Sequence, residues 1–218
     1  MEQIFRFDEE FSTDAIAIDL PDAVSNELVV YLVSKRIMDI VGSLVGIILL
    51  SPLFLIVAML IKLDSKGPII FKQIRIGKDS KPFYIYKFRS MKIEAPNLST
   101  EEFKNASDFT TRIGKFIRKT SIDELPQLVN ILKGDMSIVG PRPVIEREVR
   151  LLELRKKYKV DSILPGITGL AQINGRDHVD DYEKVKYDFK YLINRNLVLD
   201  IKIIIKTILK VVKSDGIK

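Results

Sequence analysis

Asp123 and Glu124 stand side by side in Thr120-Ser121-Ile122-Asp123-Glu124-Leu125-Pro126-Gln127, at the head of an apolar run with helical spacing. Ser121 and Glu124 have the spacing of a capping box, and acidic side chains at a helix start are stabilised by its dipole. Two readings share that physics. In one, the pair is only a helix cap. In the other, a carboxylate kept ionised by the helix N-terminus serves as a nucleophile or a Mg²⁺ ligand.

The basic residues bear on the choice. Lys87, Arg89, Arg118, Arg142 and Arg176 all fall in segments with turn or edge character. Pro141-Arg142-Pro143 holds an arginine between two fixed φ angles, and Asn174-Gly175-Arg176 places one directly after a tight-turn dipeptide. Rigid guanidinium groups suit bidentate recognition of phosphate oxygens. Any one of them alone reads as a solvated surface charge; together they make an anionic-substrate site. The chain lacks a Gly-x-x-x-x-Gly-Lys loop and a dinucleotide-binding glycine pattern, so nucleoside-triphosphate and NAD chemistry have no support. It has no cysteine, hence no disulfide or thiolate chemistry, and its single histidine, His178, reads as a loop residue without a role.

These residues need elements to hold them. In 218 residues with a net charge of +6, one ordinary domain remains once an apolar anchor is set aside. That charge suits anionic lipid or phosphate ligands, and by itself would also suit nucleic acid. Ile40 to Ile61 carry no charge, with Ser51-Pro52 in the middle. The run is long enough to cross a bilayer, but proline removes a backbone hydrogen bond at its centre. Basic residues flank both ends, Lys35 and Arg36 before and Lys62 and Lys66 after. A crossing helix has its basic excess on one side only. The pattern therefore reads as a re-entrant helix–break–helix over 35–62, broken at Ser51-Pro52, in preference to a kinked crossing helix or a soluble core helix. The Ser51 hydroxyl is placed to satisfy backbone groups that Pro52 frees. Asp39 is spaced to be neutralised along the helix by Lys35 and Arg36.

Residues 1–34 form an acidic extension. Beyond the anchor, Ile69 to Ile76 and Phe83 to Phe88 read as a β-hairpin, being rich in β-branched and aromatic residues on either side of a Gly/Asp/Ser/Pro linker. Residues 92–110 read as a loop with a short helix. Helices are predicted over Arg112 to Lys119, Ile122 to Leu132 with Gly134 as its stop, and Val144 to Val160. The C-terminal stretch sets Lys202, Lys206, Lys210 and Lys213 on one face of an otherwise apolar helix. Such a helix either lies in a lipid interface or packs on the core; the anchor upstream favours the lipid. The fold class is α+β, a mostly helical domain over 63–218 with a small hairpin.

Taken in order, the motifs resemble those of the bacterial sugar transferase family, the monotopic polyprenyl-phosphate phosphoglycosyl transferases. They are Lys35-Arg36 with Asp39, Ser51-Pro52, Phe71 through Gln73 and Arg75 to Gly77, and Tyr86-Lys87-Phe88-Arg89-Ser90-Met91. Asp123-Glu124-Leu125-Pro126-Gln127, Leu132-Lys133-Gly134-Asp135-Met136-Ser137 and Gly140-Pro141-Arg142-Pro143 follow. Pro165-Gly166-Ile167-Thr168-Gly169 and Gln172-Ile173-Asn174-Gly175-Arg176 complete the set, which covers about residues 35–216.

The resemblance implies a minimal, single-module enzyme at the cytoplasmic face of the bacterial plasma membrane. It would move a sugar-1-phosphate from a UDP-sugar to polyprenyl (undecaprenyl) phosphate and release UMP, as the first membrane step of surface polysaccharide or glycoconjugate synthesis. It further implies that Asp123 is the nucleophile of a covalent phospho-sugar intermediate and a ligand of Mg²⁺. Glu124 would assist the metal or the acceptor's attack, and Lys87, Arg118, Arg142 and Arg176 would bind phosphates. Partners would be the UDP-sugar, the polyprenyl phosphate, membrane lipid and, as an open point, a second copy of the chain; nucleic acid is not among them. The contrasting expectation is a non-catalytic adaptor that binds anionic lipid at the membrane surface.

Overall fold

The structure, a computed structural model, describes residues 26–95, 106–175 and 180–212. Its first element, α1 (Asn26–Asp64), is one helix that carries the whole apolar run. It is long and apolar enough to be a candidate membrane anchor. The helix starts upstream of the predicted Lys35, and its backbone stays helical through Ser51-Pro52. The expected break is thus a missing hydrogen bond within one helix, not a gap between two. Pro52 has no N–H for the carbonyl four residues back, that of Ile48. The Ser51 hydroxyl donates to that carbonyl instead, at 2.8 Å.

One face of α1 lies against the rest of the protein on both sides of the proline. Tyr31, Asp39 and Ser43 are buried before it, Val57 and Ile61 after it. Gly42 abuts Ile138, and Gly46 abuts Leu128. Downstream, Leu53 and Phe54 join Val57 and Ile61 in packing with Phe88 and Ile117. At most residues 47–52 separate the two contact zones, roughly 9 Å of helix at 1.5 Å per residue. The opposite face is apolar and exposed, with Ile48, Leu49, Leu55 and Leu63 among its residues.

The charges at the start of the run pin α1 to the body. Neither Lys35 nor Arg36 takes Asp39 as its hydrogen-bond partner. Lys35 Nζ meets Asp200 Oδ2 at 3.0 Å, and that carboxylate also accepts from Tyr31 and Tyr191. Arg36 donates to the carbonyls of Ile131 and Leu132, and Asp39 Oδ1 accepts from the Ile138 N–H at 2.9 Å. Tertiary partners with fixed geometry displace a pairing that is weak on a helix surface.

Strands β1 (Ile70–Ile76) and β2 (Pro82–Phe88) form the predicted antiparallel hairpin, with Gln73 opposite Ile85 and Arg75 opposite Phe83. Strand alternation puts Gln73, Arg75, Ile85 and Lys87 on one face. Two short helices follow, α2 (Ala106–Phe109) and α3 (Arg112–Lys119), then a 3₁₀ turn (Ile122–Glu124) and α4 (Gln127–Lys133). Gly134 ends α4 at φ 89°, a backbone conformation suited to glycine. Asn130, buried on α4, ties that helix to the hairpin: Oδ1 accepts from Tyr86 N–H at 3.0 Å, and Nδ2 donates to the Tyr84 carbonyl at 2.7 Å.

A second sheet was not foreseen. β3 (Ser137–Val139) pairs in parallel with β4 (Gly166–Thr168). Here the chains approach so closely that a Cβ on Gly166 would lie 2.1 Å from the Gly140 amide nitrogen. The helix predicted over Val144 to Val160 is only α5 (Val149–Lys157), and Val144 instead forms an isolated antiparallel bridge with Ile76 at the end of β1. α6 (Leu170–Asn174), α7 (Asp181–Asn194) and α8 (Leu197–Val212) close the fold. The C-terminal helix packs on the core, the second of the two readings made of it, and leaves an apolar face exposed. Ile203 is buried and Leu199 and Ile204 pack on the core, while Val198, Ile201, Ile205 and Ile208 are exposed. The architecture is α+β and mostly helical, as expected, with two small sheets in place of one.

Candidate active site

The site begins where α3 ends. Ser121 has a left-handed backbone (φ 56°), which is sparsely populated for a residue with a Cβ. It reverses the chain into the 3₁₀ turn Ile122–Glu124, and Pro126 then starts α4. The single helix predicted from Ile122 is therefore split, and the Ser121 side chain makes no capping bond. Asp123 and Glu124 sit on the turn ahead of α4, not in its first turn. Asp123 is buried; Glu124 reaches into the space below the hairpin.

Glu124 Oε1 accepts from Lys87 Nζ at 2.7 Å and lies 3.8 Å from Arg142 Nη2. These three, with Arg75, Gln127 and Gln172, line a small open cleft. Burial, reinforced by the negative charge of Glu124, pushes the Asp123 carboxyl up to about 6; Lys87, Arg118 and Arg142 pull it the other way. This corrects the expectation of a carboxylate simply held ionised by a helix N-terminus: desolvation wins over the surrounding cations. Lys87, Arg118 and Arg142, the cations expected to bind phosphates, thus lie close enough to Asp123 to act on its charge. Arg176 and His178 lie outside the described residues.

Arg142 is held by its backbone. Its carbonyl accepts from Arg155 Nη1 at 2.7 Å, and Arg155 Nη2 in turn meets the buried Asp188 at 2.7 Å. Arg89 belongs elsewhere: it donates to the carbonyls of Ser65 and Lys66 and so caps the C-terminal end of α1. Sequence reasoning left Arg75, Gln127 and Gln172 out of the candidate site. Arg75 was visible only as part of a motif. The one local signal was that Gln73 and Arg75, two residues apart on a strand, must share a face.

Among the described residues no group of three or more His, Cys, Asp or Glu gathers for a metal. The dyad nevertheless fits Mg²⁺, which takes one or two protein carboxylates and completes its shell with waters and substrate phosphates. Glu124 is paired with Lys87, so Asp123 would be the principal ligand of such an ion.

The fold is an apolar helix laid on a mostly helical α+β body, with Glu124, Lys87, Arg75 and Arg142 lining one cleft and Asp123 buried beside it. The chain belongs to the bacterial sugar transferase family, whose model matches residues 30–214. It is 42% identical over 186 residues to the UDP-glucose:undecaprenyl-phosphate glucose-1-phosphate transferase of Klebsiella pneumoniae, covering 82% of this chain and 40% of that protein. It is 41% identical over 197 residues to a UDP-N-acetylgalactosamine-undecaprenyl-phosphate N-acetylgalactosaminephosphotransferase of Aeromonas hydrophila, covering 86% and 45%. With the exopolysaccharide production protein PSS of Rhizobium leguminosarum bv. phaseoli it shares 43% over 189 residues, 81% of this chain and 94% of that protein. The chain thus spans less than half of the first two relatives and nearly all of the third.

Proposed function

We propose that this protein transfers a sugar-1-phosphate from a UDP-sugar to polyprenyl phosphate, working at the cytoplasmic face of the membrane. The observation that carries the reading is the buried Asp123 beside Glu124, with Lys87 and Arg142 on the same cleft. The names of the relatives above supply the substrate classes.

Asp123 is suited to attack phosphorus. Its raised pKa makes the ionised form more basic than an ordinary aspartate, yet still predominantly ionised at neutral pH. A carboxylate oxygen forms a bond to the sugar-bearing phosphorus as the anhydride bond to UMP breaks, and UMP leaves with that electron pair. The phosphate oxygen of the polyprenyl acceptor then attacks the same phosphorus, releasing Asp123 and leaving a polyprenyl diphosphate sugar. Arg142 and Lys87 bear on the non-bridging oxygens, where charge must be held through both displacements. A bound Mg²⁺ would supply further neutralisation of that charge. Glu124, paired with Lys87, fixes the lysine in the cleft.

The geometry of α1 supports a monotopic arrangement. The hydrocarbon core of a bilayer is about 30 Å thick. The stretch of α1 between its two contact zones is at most residues 47–52. A helix that touches the same body on both sides of so short an interval has no free length with which to cross. Its exposed apolar face and that of α8 then suit partial immersion from one side.

The test is UMP release by detergent-solubilised protein with Mg²⁺, undecaprenyl phosphate and a panel of UDP-sugars, alongside Asp123→Asn. Release with at least one donor, abolished in the variant, is the expected result. Release that survives Asp123→Asn would overturn the role of Asp123. Silence across the panel from folded protein would favour the lipid-binding adaptor.

A further inference from the structure

Buried cations in this fold are compensated in one of two ways. Lys35, Lys87 and Arg155 each have a carboxylate oxygen within 3.0 Å. Arg36 and Arg89 have none so placed, but each donates to carbonyls at the C-terminal end of a helix, where the dipole is negative. Arg75 has neither. Its Nε and Nη2 both donate to the neutral amide oxygen of Gln73, at 3.0 and 2.7 Å. Its Nη1 reaches the Pro143 carbonyl at 3.3 Å, and the nearest carboxylate oxygen, on Glu148, is 4.0 Å away.

Gln73 therefore orients the guanidinium plane without neutralising it. A guanidinium has five N–H groups. Only three are accounted for by those bonds among the described residues, and two remain to point at a ligand. The group is largely withdrawn from water, with 15% of the side chain exposed; it feels the like charge of Arg142 across the cleft, opposed by the charges of Glu148 and Glu124. Two guanidinium groups lining one small cleft, one of them with its nearest carboxylate oxygen 4.0 Å away, are stabilised when a further anion lies between them.

We propose that Arg75 is a donor-binding residue, and that it and Arg142 clamp the diphosphate of the nucleotide sugar between them. This rests on the reading of the cleft as the nucleotide-sugar site. Arg142 comes from a loop and Arg75 from a hairpin strand, so the clamp closes across two independent elements. The bond from Arg75 to Pro143 holds the second of those elements beside the first. A diphosphate offers non-bridging oxygens on two phosphorus atoms, one set for each fork.

The experiment compares UDP and UMP binding by titration calorimetry, on the full chain in detergent with Mg²⁺, for wild type, Arg75→Gln and Arg75→Lys. Loss of charged hydrogen bonds to one phosphate predicts a fall in UDP affinity of roughly 10–100-fold in Arg75→Gln, and a much smaller fall for UMP. Arg75→Lys keeps the charge without the fork and recovers only part of the loss. In turnover, KM for the UDP-sugar rises while KM for polyprenyl phosphate stays within about twofold of wild type. Unchanged UDP affinity, an equal fall for UDP and UMP, or an effect confined to the polyprenyl phosphate would each overturn the clamp. If Arg75→Gln does not fold, the same comparison on Arg75→Lys decides, with loss of the preference for UDP over UMP as the expected result. Wild type that binds neither nucleotide and turns over no donor would sink the parent reading of the cleft. Wild-type binding that Arg75 variants share would sink this inference alone.

Discussion

Arg155 reaches from α5 to the main-chain carbonyl of Arg142 at 2.7 Å while its other terminal nitrogen holds Asp188 of α7 at the same distance. The cation of the cleft is thereby tied through a buried ion pair to two helices that do not enter the cleft. Removing one partner of such a pair leaves an uncompensated charge, at a cost of about 3–5 kcal/mol. Arg155→Met should therefore lower the thermal midpoint strongly. The double variant Arg155→Met with Asp188→Leu should regain most of that stability, yet keep a raised KM for the UDP-sugar, since Arg142 has lost its backbone anchor. A double variant with wild-type KM would show that the pair is structural only.

Asp123 should be a residue that lowers stability in the interest of chemistry. Its carboxyl is pushed from 3.8 up to about 6, first by burial and then by Glu124. The folded state thus binds a proton more tightly than the unfolded state. Between pH 4 and 6 the unfolded chain gives up its proton first, so stability falls as pH rises through that window. About two pH units correspond to roughly 3 kcal/mol at neutral pH. Asp123→Asn, inactive, should melt several degrees higher than wild type at pH 7 in chelator, with the difference shrinking towards pH 4. Equal midpoints at pH 7 would contradict the burial account.

Ser51→Ala removes the hydroxyl that serves the Ile48 carbonyl. In lipid no water replaces it, so a cost of about 1–3 kcal/mol is expected. Adding Pro52→Ala restores an N–H for that carbonyl and should recover the midpoint measured in detergent or nanodiscs. Single cysteines at Asn26 and Lys66, placed at the two ends of the helix region, should react with an impermeant reagent from the same side of sealed vesicles. Labelling from opposite sides would end the monotopic model.

Asn130→Leu should loosen the hairpin. The substitution leaves the Tyr84 carbonyl and the Tyr86 N–H without their side-chain partner. About 2–4 kcal/mol of destabilisation is expected for two such groups. Because Lys87 follows on the same strand, activity at permissive temperature should fall through KM for the donor more than through protein yield.

The dyad and its cations were legible in the sequence because each is a charged residue in a rigid or punctuated context: Asp123-Glu124 at a helix start, Arg142 between prolines. Lys87 and Arg118 were picked out as basic residues in turn or edge segments, and the resemblance added the phosphate-binding role expected of them. Arg75 was not, because its significance lies in what its partner is. A neutral glutamine two residues away in a strand looks like any polar neighbour until the fork geometry is seen. The hairpin was readable from its alternation, while β3 and β4 are three-residue strands too short to show a period. Lys35 and Arg36 were read as flanking charges of a membrane segment. Their partners, Asp200 and the carbonyls of Ile131 and Leu132, lie about a hundred residues or more downstream, beyond the reach of any local rule.

Because α1 packs on the body before and after Ser51-Pro52, the anchor has no slack. A flexible leash would let an active site sample a range of heights above the lipid, and lengthening the leash would merely dilute the encounter with the acceptor. Here height and tilt are properties of a rigid body. A one-residue insertion in α1 would rotate everything beyond it by about 100° and lift it by about 1.5 Å. On the proposed monotopic arrangement, the cleft would then meet the bilayer at a different angle although no residue in it had changed.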